Sequence, residues 1–117
     1  MKKLVQFSVI ALLAGCGPTK QINTATLYRN SPILSDLRVY WASFAAPEEN
    51  QTYNIENCEM AAGVLNANFK AMNKANGKEP DPGLGFWCEE GPYSEKGNIP
   101  TSFKAEFPTD VTGPYRF

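Results

Sequence analysis

The clearest periodicity in the chain lies in its middle. Cys58, Ala61, Ala62, Leu65, Phe69 and Met72 recur at steps of three, one, three, four and three, which lines them up along one face of an α-helix. The pattern predicts a helix capped by Asn54 or a neighbour and running to about Ala75. Glu56 and Glu59 fall in the first turns, and Lys70, Lys74 and Lys78 at or near the end; both placements suit the helix dipole. Asn76-Gly77 offers a left-handed stop, and Pro80 and Pro82 forbid continuation.

Three shorter stretches read as strands. Residues 37–44 (Leu-Arg-Val-Tyr-Trp-Ala-Ser-Phe) are rich in β-formers. Leu37, Val39 and Trp41 share one side, and Arg38, Tyr40, Ala42 and Phe44 the other. Neither side is cleanly polar, so an interior strand is expected. In residues 83–89, Leu84, Phe86 and Cys88 share one face and Trp87 takes the other. Residues 103–107 alternate Phe103, Ala105 and Phe107 with Lys104 and Glu106, a half-buried strand ended by Pro108. The order β-α-β-β predicts a small single α+β domain over residues 36–117, with one long helix packed on a short β-sheet. If the first two of these strands are adjacent and parallel, the crossover is right-handed.

The start of the chain has a different pattern. Met1-Lys2-Lys3 is basic, residues 4–12 are almost wholly apolar, and Leu13-Ala14-Gly15-Cys16 closes the run. Such a run is too short to span a bilayer, which takes about 20 residues, but it fits the apolar core of a cleaved secretory signal. With its cysteine directly after Ala14-Gly15, the segment resembles the lipobox signal of bacterial lipoproteins. The resemblance covers residues 1–16 alone and implies a signal peptide at 1–15 and lipidation of Cys16. Acyl chains on that residue, each methylene adding about 0.8 kcal/mol of membrane affinity, would hold the mature protein to a membrane without a spanning helix. In enteric-type lipoproteins an Asp after the cysteine favours inner-membrane retention. Gly17 therefore points to the outer membrane, facing the periplasm or the surface. Residues 16–35 mix Thr, Asn, Gln, Ser, Gly and Pro with isolated apolar residues and read as a tether, of roughly 25 Å root-mean-square span if flexible.

Once Cys16 is assigned to lipid, Cys58 and Cys88 remain as an even pair in an oxidising compartment. Cys58 sits on the apolar helix face and Cys88 on the inner face of a strand, so a disulfide would pin one to the other. The alternative, free thiols for metal, has neither a histidine nor a CxxC spacing behind it; no metal or other cofactor is expected.

Charge narrows the partners. Without Lys2 and Lys3 the basic count falls from 11 to 9 against 12 acidic residues, a net charge of −3. Nucleic acid and a polybasic membrane patch are both disfavoured by that balance. The lack of histidine removes the commonest general base and the usual hydrolase pairings. Among carboxylates, Glu89 and Glu90 are adjacent and point to opposite faces of a strand. Glu90, Glu95 and Asp81 are the residues that an envelope glycan-acting enzyme, or a calcium site, would have to use.

The aromatics offer two readings. Tyr40, Phe44, Trp87 and Tyr93 form either a binding platform on the sheet face away from the helix or the second half of a small core under Tyr115 and Phe117. The expected function is a lipid-anchored, non-enzymatic envelope module that binds a protein or glycan, in the manner of assembly accessories, inhibitors or phage-exclusion factors. An enzyme with paired carboxylates is the alternative.

Overall fold

The computed structural model describes residues 15, 17, 21–34 and 36–106. It is an α+β fold with the element order β1 (Ala25–Asn30), β2 (Arg38–Phe44), α1 (Tyr53–Ala75) and β3 (Phe86–Glu90). The three strands form one antiparallel sheet in the order β2-β1-β3, with α1 packed on one face. Ala25, Leu27, Cys58, Ala62 and Phe86 make the core between them, flanked by Ala42, Phe44, Ile55, Leu65 and Cys88. Cys58 and Cys88 form the expected disulfide, with Cα atoms 6.0 Å apart. Among the described residues no helix is long and apolar enough to cross a membrane. Cys16, Phe107, Tyr115 and Phe117 lie outside the described residues, as do nearly all of residues 1–15.

The first departure from the sequence reading is β1. The segment expected as a tether contains the central strand of the sheet, and Ala25, Thr26, Leu27 and Tyr28 are all at most 2% exposed. Its polar composition hid it. Thr26 and Asn30 are buried because their side chains serve the backbone of other segments. Thr26 Oγ1 donates to Gly91 O at 2.8 Å. Asn30 Oδ1 accepts from the Gly85 N–H at 2.8 Å while its Nδ2 donates to Gly83 O. With β1 in the centre, residues 38–44 become an edge strand, not an interior one. The order is then β-β-α-β, and β2 and β3 run parallel to each other with β1 between them.

The second departure is at residues 103–107. Residues 101–106 form no strand, because the place beside β3 is already taken by a side chain. Asn66, 3% exposed on α1, accepts from the Phe86 N–H at 2.8 Å and donates to Phe86 O at 2.9 Å. The same Nδ2 donates to Lys104 O at 2.9 Å, so the segment is strapped to the helix through one amide. Gly63, one turn away, allows the close approach: a Cβ there would lie 2.9 Å from Glu106 O.

Helix α1 ends as its sequence predicts. Gly77 has φ +67°, the Gly77 N–H donates to Lys74 O at 3.1 Å and the Lys78 N–H to Asn73 O at 2.9 Å, the paired bonds of a Schellman stop. At the other end, Asn54 lies inside the first turn and Thr52 takes the cap position. Asn54 is buried and clasps Ala46 through both its N–H and its C=O, and also holds Asn23 O at 2.7 Å. Met72, placed by periodicity on the inner face, is 63% exposed.

Candidate binding surface

Thr26, Tyr28 and Asn30 point away from the helix, and Tyr28 is the hub of that face. Its ring stacks on Trp87 with centroids 5.6 Å apart and planes 21° apart. Tyr93 follows at 6.0 Å from Tyr28, and Tyr40 meets Tyr93 edge-on at 5.7 Å. Offset and edge-to-face contacts of this kind add about 0.5–1.5 kcal/mol per pair beyond burial alone. The Tyr28 hydroxyl accepts from the Ser94 N–H at 2.8 Å, which draws the loop after β3 across the sheet.

Arg38 lies at the centre of this cluster, 3% exposed. Its guanidinium carbon sits 3.8 Å from the Tyr28 ring centre. Nη2 donates to Glu89 Oε2 at 2.5 Å and Nη1 to Lys96 O at 3.4 Å. Glu89 Oε1 accepts in turn from Trp87 Nε1 at 3.0 Å. The Arg38 pKa is raised: burial alone would lower it, but the Glu89 carboxylate and the Tyr28 hydroxyl outweigh the lost hydration. Arg38 Nε is buried without a hydrogen-bond partner. Gly97 roofs the group, since a Cβ there would overlap Arg38 Nη1.

The four aromatic residues expected as a surface therefore separate. Tyr40 and Tyr93 are about half exposed and in contact, whereas Trp87, only 8% exposed, supports them from within. Phe44 is on the other face, packed toward the helix. A β-bulge explains the split. Leu27 pairs with Ala42 but Tyr28 pairs with Tyr40, so Trp41 is the extra residue and the alternation of residues 40, 42 and 44 is broken. Trp41 turns toward the helix side, edge-on to Phe86 at 5.1 Å, with the Arg29 guanidinium 5.9 Å from its ring centre. The sequence reading missed Tyr28, Arg38 and Glu89 as the frame of the site. A lone arginine in an aromatic-rich strand was the available signal; its partner was not legible.

The carboxylates of the enzyme alternative are dispersed. Asp81 accepts from the Gly83 N–H at 2.8 Å and lines a cleft of about 240 Å³ with Lys70, Phe69 and Phe103. Glu90 lines a different depression, beside Gln21 and Pro92. Glu95 is exposed in the loop after β3, and Glu89 is engaged by Arg38. Among the described residues no three His, Cys, Asp or Glu side chains converge to hold a metal ion. Comparison with protein families, with curated proteins and with solved structures finds no match for this chain.

Proposed function

We propose that this chain is a lipid-anchored cell-envelope protein, held by Cys16 in the outer membrane, and that it acts as a non-enzymatic binding module for an envelope protein or glycan. One observation carries the binding half of this reading: Tyr40 and Tyr93 are 48% and 47% exposed, yet touch each other at 5.7 Å and rest on the buried Tyr28–Trp87–Arg38 stack. Two rings fixed in the free protein lose little side-chain freedom on binding, and aromatic side chains with a polar tip suit both protein and sugar surfaces. The anchoring half is supported by residues 1–16 and by the Cys58–Cys88 bridge, which suits an oxidising compartment.

In-cell crosslinking followed by purification from envelopes tests the reading. One reproducible partner is expected, depleted by Tyr40→Ala and Tyr93→Ala, and Cys16→Ser should release the protein or leave it unprocessed. Recovery of abundant envelope proteins alone, unchanged by both tyrosine variants, would overturn the binding assignment. A Cys16→Ser protein that stays in place and processed would overturn the anchor.

A further inference from the structure

Strand β2 is an end strand of the sheet, and its outer edge is open. The opposite edge is not: at β3 the Asn66 amide takes both backbone groups of Phe86. Among the described residues no backbone–backbone hydrogen bond reaches residues 39–44 from outside the sheet. Register shows which groups are left over. The Asn30 N–H donates to Gly85 O and Thr24 O accepts from the Gly91 N–H, whereas the Ser31 N–H turns to Leu37 O. Even-numbered residues of β1 therefore bond toward β3 and odd-numbered ones toward β2. The β2 partners of Ala25, Leu27 and Arg29 are Phe44, Ala42 and Val39. Tyr40 and Ser43, lying between those partners, direct their N–H and C=O groups away from the sheet.

A free row of this kind takes another extended chain. From Val39 to Phe44 there is no charge and no proline, the residue types that commonly guard an edge. Arg38, the one charge of the strand, is folded back over Tyr28. The bulge does not break the outer row. Tyr28 and Thr26, two positions apart on β1, pair with Tyr40 and Ser43, so the outward groups keep the spacing of a regular strand, about 7 Å.

The strand is complementary to itself. Its exposed bulky side chains, Val39, Tyr40 and Trp41, come first, and Ala42, Ser43 and the half-buried Phe44 follow. A two-fold axis between Trp41 and Ala42 lays β2 antiparallel to its copy, with Val39 against Phe44, Tyr40 against Ser43 and Trp41 against Ala42 of the second copy. Faces agree in this register. Tyr40 and Ser43 share the face away from the helix, where the Tyr40 hydroxyl donates to Ser43 Oγ at 3.2 Å within one chain. Trp41 and Ala42 share the helix side. The same axis sets the outward groups of Tyr40 opposite those of Ser43, which an antiparallel ladder requires. We propose that two copies of this chain join edge to edge through β2 in that register. The result is a closed dimer with one continuous sheet and both helices on the same side. It needs no lipid anchor, and it places the Tyr40–Tyr93 pairs of both copies on one face.

Sedimentation equilibrium of the full chain carrying Cys16→Ser tests the pairing. One strand per copy makes a small interface of the weak class, so concentrations run to about 1 mM, where even micromolar contacts are saturated. A dimer is expected. Ser43→Pro removes an outward N–H and leaves the bonds to β1 in place, and Val39→Lys puts a charge on the edge; each should return the monomer while the thermal unfolding transition is retained. Register is read separately with a short thiol-to-thiol crosslinker. A mixture of Tyr40→Cys and Ser43→Cys proteins should give crosslinked dimer, and either protein alone should give much less. A monomer at every concentration would overturn the proposal. If its Tyr40 and Ser43 amides exchange slowly, another segment of the same chain covers the edge; if they exchange fast, the edge is left for a different protein. A dimer that survives both Ser43→Pro and Val39→Lys would overturn it too, because the copies then meet elsewhere. Crosslinking as strong in the single proteins as in the mixture would overturn the register.

Discussion

The Arg38 guanidinium lies 3.8 Å from the centre of the Tyr28 ring, sealed beneath Gly97 and tied to Glu89 at 2.5 Å. Glu89 is 38% exposed at its side chain, so water screens that ion pair, and much of the value of Arg38 lies in packing and ring contact. Arg38→Ala is expected to cost about 2–3 kcal/mol. Arg38→Met, which keeps the aliphatic volume, should cost clearly less. Urea unfolding of the two proteins gives the comparison; equal losses would mean that the charge, and not the packing, dominates.

Gly97 and Arg38 should behave as one unit. Forcing a Cβ onto Arg38 Nη1 by Gly97→Ala is expected to cost about 1–3 kcal/mol, the range of an overpacked contact. In an Arg38→Ala background the same substitution should be nearly neutral. A double-mutant cycle measures the difference, and additive losses would show that the loop does not bear on Arg38.

Asn66 substitutes for a neighbouring strand at the edge of β3. Asn66→Ala leaves the Phe86 N–H and C=O without their partners and is expected to cost about 2–3 kcal/mol. Asn66→Asp should be worse, since it removes the donor to both Phe86 O and Lys104 O and buries a charge. Amide exchange at Phe86 and at residues 104–106 should accelerate in both variants. Unchanged protection there would mean that the strap is held by other contacts.

The disulfide closes a loop with a sequence separation of 30. Replacing Cys58 and Cys88 together by Ala should lower stability by about 3–4 kcal/mol on the chain-entropy model. For a domain this small, that is a large share of the total. Thermal unfolding with and without reductant checks it, and a loss below about 1 kcal/mol would show that the reduced unfolded chain is already constrained.

Helical periodicity assigned Met72 to the same face as Leu65, and the structure separates them. Met72→Ser is expected to change stability by less than about 0.5 kcal/mol. Leu65→Ala, beside the core, should cost at least about 1 kcal/mol even though Leu65 is only partly buried. Urea midpoints of the two variants decide it.

Legibility in the sequence followed how local each cause was. The helix was readable because its periodicity, its charges and the Asn76-Gly77 stop are short-range. The Cys58–Cys88 pair was readable because two independent face assignments agreed. Strand β1 was missed because Thr26 and Asn30 look like loop residues; they are buried by bonds to Gly91 and Gly83, partners more than 50 positions away. The site was half readable. Tyr40, Trp87 and Tyr93 were named, but the bulge at Trp41 sent Phe44 to the opposite face, and nothing in the local alternation announces an extra residue.

By itself the sequence determined an α+β class, one capped helix, the identity of the bridged cysteines and the resemblance of residues 1–16 to a lipoprotein signal. These depend on periodicity, turn chemistry and residue type, which act over a few positions. The tertiary structure alone decided which strand is central, which edge is closed by an asparagine amide, and which aromatics reach solvent. Each of those depends on hydrogen bonds and packing between segments distant along the chain. The burial of Arg38 belongs to the same group: a charged side chain in an aromatic strand has no place of its own until Tyr28, Glu89 and the Gly97 loop close around it.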